Sequence, residues 1–131
     1  MDIKKVLVCV DLTPVSLKAL EWAKSIAEKY GAELVVYHEM EDVYTMIKTS
    51  ASFGMPASPD LKERAEKSVK DKLKPLIQNI QTSCRFLIEA KGKTAERIIE
   101  VSSDEQPDLT VIPIEYERSV HKINSQVLVI K

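Results

Sequence analysis

The sequence predicts a doubly wound α/β protein: a five-stranded parallel sheet with helices on both faces. Three observations carry that reading. Five short apolar runs recur along the 131 residues, and the first, Val6-Leu7-Val8-Cys9-Val10, is continuous and β-branched, as strands covered on both faces are. Segments of helical periodicity separate the runs, the alternation that builds parallel sheets. The first strand, helix and second strand form a βαβ unit whose crossover is expected to be right-handed.

The elements follow in order. After the first strand, Ala19, Leu20, Ala23, Ile26, Ala27 and Tyr30 share one stripe of a helix. Thr13 suits its N-cap, Pro14 its first position and Gly31 its C′ position. Leu34 to His38 reads as the second strand. Glu39 to Ser58, rich in Ser and Met and holding Gly54 and Pro56, reads as a long surface excursion with a short helix around Val43 to Lys48. Asp60 with Glu63 resembles a capping box for a helix carrying Leu61, Ala65, Val69, Leu73, Leu76 and Ile80, which Pro75 should kink or split. Phe86 to Ala90 is the third strand. Thr94 is expected to cap the next helix, with Ile98 and Ile99 inward. Leu109 to Ile112 is the fourth strand and Val127 to Ile130 the fifth. About a dozen residues join these two, the minimum for a parallel crossover, and Tyr116, Val120 and Ile123 predict a short helix of two to three turns there.

Composition narrows the class. The apolar fraction is 44%, the charged fraction 30%, and 19 basic residues face 20 acidic ones. This is the balance of a globular domain, and one domain over residues 1–131 is expected at this length. The near-neutral charge argues against a nucleic-acid partner, and the apolar runs are too short to span a membrane. Cys9 and Cys84 are too few for a disulfide framework, and with no secretory segment a cytoplasmic setting is expected.

Ligands of open α/β sheets bind beyond the carboxyl ends of the strands. Asp11 is the leading candidate there, since a carboxylate at a strand end can accept from a purine amine, a ribose hydroxyl or backbone N–H groups. The competing reading is that Asp11 caps its own turn. His38 ends the second strand, where hydrogen bonding is favoured over catalysis. No metal site is expected, because neither His38 nor His121 has ligands at zinc spacing. No serine lies in a nucleophile elbow. Gly92-Lys93-Thr94 looks like the end of a Walker A motif, but the position that should hold its first glycine is Leu87, inside a strand.

The chain resembles the universal stress proteins. The residues that carry the resemblance are Val10-Asp11-Leu12-Thr13, Ser16, Ala19-Leu20, Gly31-Ala32-Glu33-Leu34, His38, Gly92, Pro107-Asp108-Leu109 and Val127-Leu128-Val129. The resemblance implies a Rossmann-like sheet of order 3-2-1-4-5, of the adenine nucleotide alpha hydrolase type, and homodimers joined through the last strand. It also implies that Asp11, Thr13 and His38 are the remnant of a nucleotide crevice. Relatives that bind ATP carry Gly-x2-Gly-x9-Gly-[Ser/Thr] after the fourth strand, where glycine lets backbone N–H groups reach phosphate. Here those positions are Pro113, Tyr116, Gln126 and Val127, and Pro113 has no N–H. Glu115 and Glu117 add negative charge at the same helix end. Leu12 stands where the family often has glycine, and Glu39 where an apolar residue commonly walls the adenine.

The expected protein is therefore a cytoplasmic, non-enzymatic, dimeric stress-response protein with no cofactor, ATP included. The alternative is an adenine-nucleotide-binding regulator or weak nucleotidase using Asp11 and Thr13; a third reading is an enzyme or electron-transfer subunit with another ligand in the crevice. Val127, Leu128, Val129 and Ile130 are the expected dimer interface. An apolar edge strand must be paired or covered, and antiparallel pairing about a twofold axis does so economically; the competing reading buries it under Tyr116, Val120 and Ile123 of the same chain.

Overall fold

A computed structural model describes all residues, 1–131. Its strands are β1 (Lys5–Cys9), β2 (Glu33–Glu39), β3 (Cys84–Glu89), β4 (Leu109–Pro113) and β5 (Gln126–Ile130), and its helices are α1 (Pro14–Tyr30), α2 (Glu41–Ser52), α3 (Leu61–Leu73) and α4 (Thr94–Glu105). All strand pairs are parallel, in the order β3-β2-β1-β4-β5. Alternation along β1 divides the core in two. Val6, Val8 and Val10 face α1 and α3 beside Leu34, Val36 and Leu73, whereas Leu7 and Cys9 face α4 beside Val35, Tyr37 and Ile98. Burial on both faces explains why β1 reads as an unbroken apolar run; each such side chain contributes about 1.5–3 kcal/mol.

Local signals set the first unit. Thr13 Oγ1 accepts from the Ser16 N–H, Pro14 opens α1, and Gly31 closes it in the left-handed region at φ 65°. Tyr30, placed by periodicity on the inward stripe, is exposed instead, because the chain is already leaving the helix for the Gly31 turn. Pro107-Asp108-Leu109 sets the start of the sheet. Asp108 Oδ2 accepts from the backbone N–H groups of Lys4 (2.7 Å) and Lys5 (3.1 Å), fixing where β1 begins.

Four local expectations are corrected. The excursion after β2 holds a full 12-residue helix, α2, longer than Val43 to Lys48, since Glu41 and Asp42 complement its N-terminal dipole and Val43 packs on the core. Asp60 makes no cap bond; its carboxylate accepts from Ser58 and pairs with Arg64. Thr94 is not the cap of α4, since Lys93 holds that position and the Thr94 hydroxyl donates to Glu41 instead, at 2.6 Å. The segment before β5 is a 3-10 helix, Ile114–Lys122, interrupted at Tyr116. Nine residues rising ~2.0 Å each cover ~18 Å, against ~13.5 Å for an α-helix, and the path back along a five-residue strand is ~17 Å. Pro75 acts as expected: α3 stops at Leu73 and Lys74–Ile77 continues as a 3-10 turn.

Candidate functional site

Asp11 lies just beyond β1, in the turn that opens α1. Its Oδ1 accepts from the Thr13 backbone N–H (3.1 Å) and hydroxyl (2.5 Å), and its Oδ2 from the Tyr116 hydroxyl (2.7 Å). Burial alone would raise the Asp11 pKa, yet hydrogen bonds from Thr13, Tyr116 and Ser16 hold the carboxyl far below its usual range. Burial and the Asp11 acceptor push the Tyr116 phenol up, so it stays a donor. Glu115 stands next to this cluster, 3.4 Å from the Thr13 hydroxyl. Leu12, between Asp11 and Thr13, has φ 69°, which costs an L-residue about 1–2 kcal/mol. That conformation is the physical reason glycine suits the position.

The end of β2 is built differently. His38 Nδ1 donates to the Val10 carbonyl at 2.7 Å, so His38 fastens β2 to the end of β1. Glu39, by contrast, is buried at 4% exposure. It accepts from the Tyr37 hydroxyl (2.7 Å) and from the backbone N–H groups of Lys91 (2.5 Å) and Gly92 (3.0 Å). The Gly92-Lys93-Thr94 turn that mimics a phosphate loop thus commits its Gly92 N–H, with that of Lys91 just before it, to the chain's own carboxylate. Glu89, the register partner of Glu39, is buried at 6% exposure and pairs with Arg97 Nε at 2.8 Å.

These elements frame a cleft of about 390 Å³. Asp11, His38, Glu39, Glu41, Asp42 and Tyr116 line it, with Met40, Val43 and Val69 as an apolar wall and no lysine or arginine among its lining residues. The structure brings Asp11 and His38 to one cleft, with Thr13 bonded to the Asp11 carboxylate at its edge. Sequence reasoning missed Tyr116 as the partner of Asp11, and it missed Glu39 as an acceptor for a turn 52 residues away. No group of three or more His, Cys, Asp or Glu side chains is placed to hold a metal ion. Burial raises the Cys9 thiol well above its ordinary value and the Cys84 thiol to about 11, so both stay protonated at neutral pH. No helix is long and apolar enough to cross a membrane.

A parallel 3-2-1-4-5 sheet with a cleft beyond the ends of β1 and β2 defines a Rossmann-like α/β protein of the crevice-bearing class. Within that class the sequence is decisive: the profile of the Universal stress protein family matches residues 2–130, and the chain belongs to that family. A universal stress protein of Aquifex aeolicus (strain VF5) is 32% identical over 80 residues, which span 61% of this chain and 59% of that relative. Solved structures share the fold, two of them as follows. Universal stress protein UspA from Lactobacillus plantarum superposes with a TM-score of 0.72 at 15% identity, over 100% of this chain and 99% of that one. A universal stress protein from Archaeoglobus fulgidus in complex with dAMP gives a TM-score of 0.65 at 17% identity, over 100% of both chains.

Proposed function

We propose that this chain is a non-enzymatic, dimeric stress-response protein of the cytoplasm that acts through protein contacts and holds no ATP tightly. One observation carries the reading: the groups that would receive a nucleoside are satisfied internally. Tyr116 donates to Asp11 at 2.7 Å, and Glu39 takes the Lys91 and Gly92 N–H groups. A nucleotide entering here must displace these bonds and bring its phosphates toward Asp11, Glu41 and Asp42. Its counter-charge would have to come from elsewhere, and Pro113 offers no N–H where the glycine loop of ATP-binding relatives begins.

The test is thermal unfolding with ATP and magnesium at millimolar concentration. The expected result is no rise in Tm. A rise of several degrees that Asp11→Ala abolishes would establish nucleotide binding. That second reading, an adenine-nucleotide-binding regulator or weak nucleotidase using Asp11, Thr13 and His38, is favoured by one specific finding: the Archaeoglobus fulgidus relative of this fold holds dAMP.

Dimerisation through Val127, Leu128, Val129 and Ile130 is supported by the contrast between the two sheet edges. Edge strand β3 is guarded by charge, since Arg85 pairs with Glu33 and Glu105, and charged side chains blunt an edge. Edge strand β5 has no such guard. Val127 and Val129 are half-covered by Val120 and Ile123 of the same chain, so the competing same-chain reading accounts for one face. The outer backbone edge stays unpaired, and beside it Trp22, 52% exposed, forms a shallow groove with Lys18, Leu128 and Ile130. Light scattering at micromolar concentration is expected to give twice the chain mass of 14.8 kDa; a particle of one chain mass would overturn the dimer. Protein surfaces, and neither nucleic acid nor membrane, are the proposed partners.

A further inference from the structure

Glu39 and Glu89 end adjacent parallel strands as register partners. Both project to the face covered by α4, the face of Tyr37 and Leu87. Two carboxylates are thus buried side by side with a single contacting cation. Arg97 of α4 is that cation, and it is already committed to Glu89 and to Glu100. Glu39 is held only by neutral donors: the Tyr37 hydroxyl on its own strand and the N–H groups of Lys91 and Gly92. The remaining groups toward it are the Cys9 thiol from β1, Glu41 at the start of α2 and the Lys91 side chain, which points to solvent. An ionised Glu39 therefore leaves one uncompensated negative charge beneath α4.

We propose that Glu39 is a proton-operated latch on the turn between β3 and α4. Ionised, its carboxylate fastens the Lys91 and Gly92 amides to the end of β2. Protonated, its O–H donates to the Glu89 carboxylate, which Arg97 keeps ionised, and the turn amides are held only by a neutral carbonyl oxygen, a weaker acceptor than the carboxylate. Burial, followed by the neighbouring Glu89, pushes the Glu39 carboxyl up to about 7 against the opposing pull of the Lys91 N–H and Tyr37 hydroxyl, so the exchange falls near neutral pH. The consequence reaches the cleft wall. Thr94, two residues past Gly92, holds α2 through Glu41 at 2.6 Å. The α2 wall of the cleft thereby loosens as the surroundings acidify.

The experiment is NMR titration of the full chain between about pH 5.5 and 8.5, a window that brackets the proposed midpoint. It follows the Glu39 carboxyl carbon and the Lys91 and Gly92 amides. One shared midpoint near 7 is expected, with exchange of both amides about tenfold faster below it once intrinsic rates are divided out. Glu39→Gln keeps an acceptor but no titrating proton, and its amide shifts are expected to stay flat. Glu89→Gln removes the like charge and is expected to lower the midpoint. A Glu39 carboxyl that titrates in its ordinary range, or an amide transition that survives in Glu39→Gln, would overturn the latch. Should Glu39→Gln fail to fold, the carboxyl titration of the unaltered chain decides alone. None of these readouts depends on nucleotide or on dimerisation, so the latch and the proposed function fail separately.

Discussion

Asp11 follows β1 and Glu39 closes β2, so two carboxylates stand at the same end of neighbouring strands. Asp11 is ringed by donors that prefer its charge: two from Thr13 and one from Tyr116. Glu39 is buried more deeply, and it lies beside a second carboxylate, Glu89. The first is held far below its usual range and the second pushed up to about 7. The difference teaches that position at the ligand end of a sheet does not define a carboxylate's chemistry; its immediate donors and like charges do. It also separates two roles within one cleft. Asp11 is a permanent anion that closes the crevice with Tyr116, whereas Glu39 is an anion only on the alkaline side of neutrality.

Removing the cation on the Glu39 side should give the largest effect. Arg97→Ala leaves Glu89 and Glu39 together without a counter-charge, and urea unfolding at about pH 8 is expected to show a loss of about 3 kcal/mol. The loss should shrink by about pH 5.5. The sign follows from linkage: the folded pKa of Glu39, about 7, exceeds its ordinary 4.5, so the native state binds more protons between these values. Stability therefore falls as pH rises through that window. Asp11 acts in the opposite sense. Its stabilisation is complete above its ordinary 3.8 and is lost as pH falls below that value. An equal loss at the two pH values in Arg97→Ala would remove Glu39 as the group that takes up the proton and erase the contrast with Asp11.

The fold was legible because its determinants are local and periodic. The apolar run Val6 to Val10 implies burial on both faces, and Thr13, Pro14 and Gly31 mark the ends of α1 where they stand. The expected sheet order came through resemblance to a family and is the order observed. What could not be read is long-range. Tyr116 reaches Asp11 across 105 positions and Glu39 meets the Gly92 turn across 53; neither leaves a trace in periodicity, since both depend on where separate strands end. Glu39 gave a partial signal, a charged residue where an apolar one is common. That signal suggested a damaged adenine wall, whereas the carboxylate has a position of its own. The helix expected before β5 became 3-10 because the distance to be spanned outweighed the α-helical spacing of Tyr116, Val120 and Ile123.

A smaller change tests the Asp11 side alone. Tyr116→Phe keeps the ring over the crevice and removes one hydroxyl. At neutral pH it is expected to cost about 1.5 kcal/mol, the lower end of the range for one hydrogen bond to a charged acceptor. The Asp11 pKa should move upward, toward 3.8, as followed by its carboxyl carbon in NMR, while the Glu39 midpoint stays in place. Because the folded pKa of Asp11 is depressed, the cost should fade as pH drops below 3.8 and the carboxyl takes up its proton. An Asp11 pKa that does not move would mean that Thr13 alone sustains the anion. Tyr116 would then only cover the crevice, and a nucleoside would need to displace a ring and not a hydrogen bond.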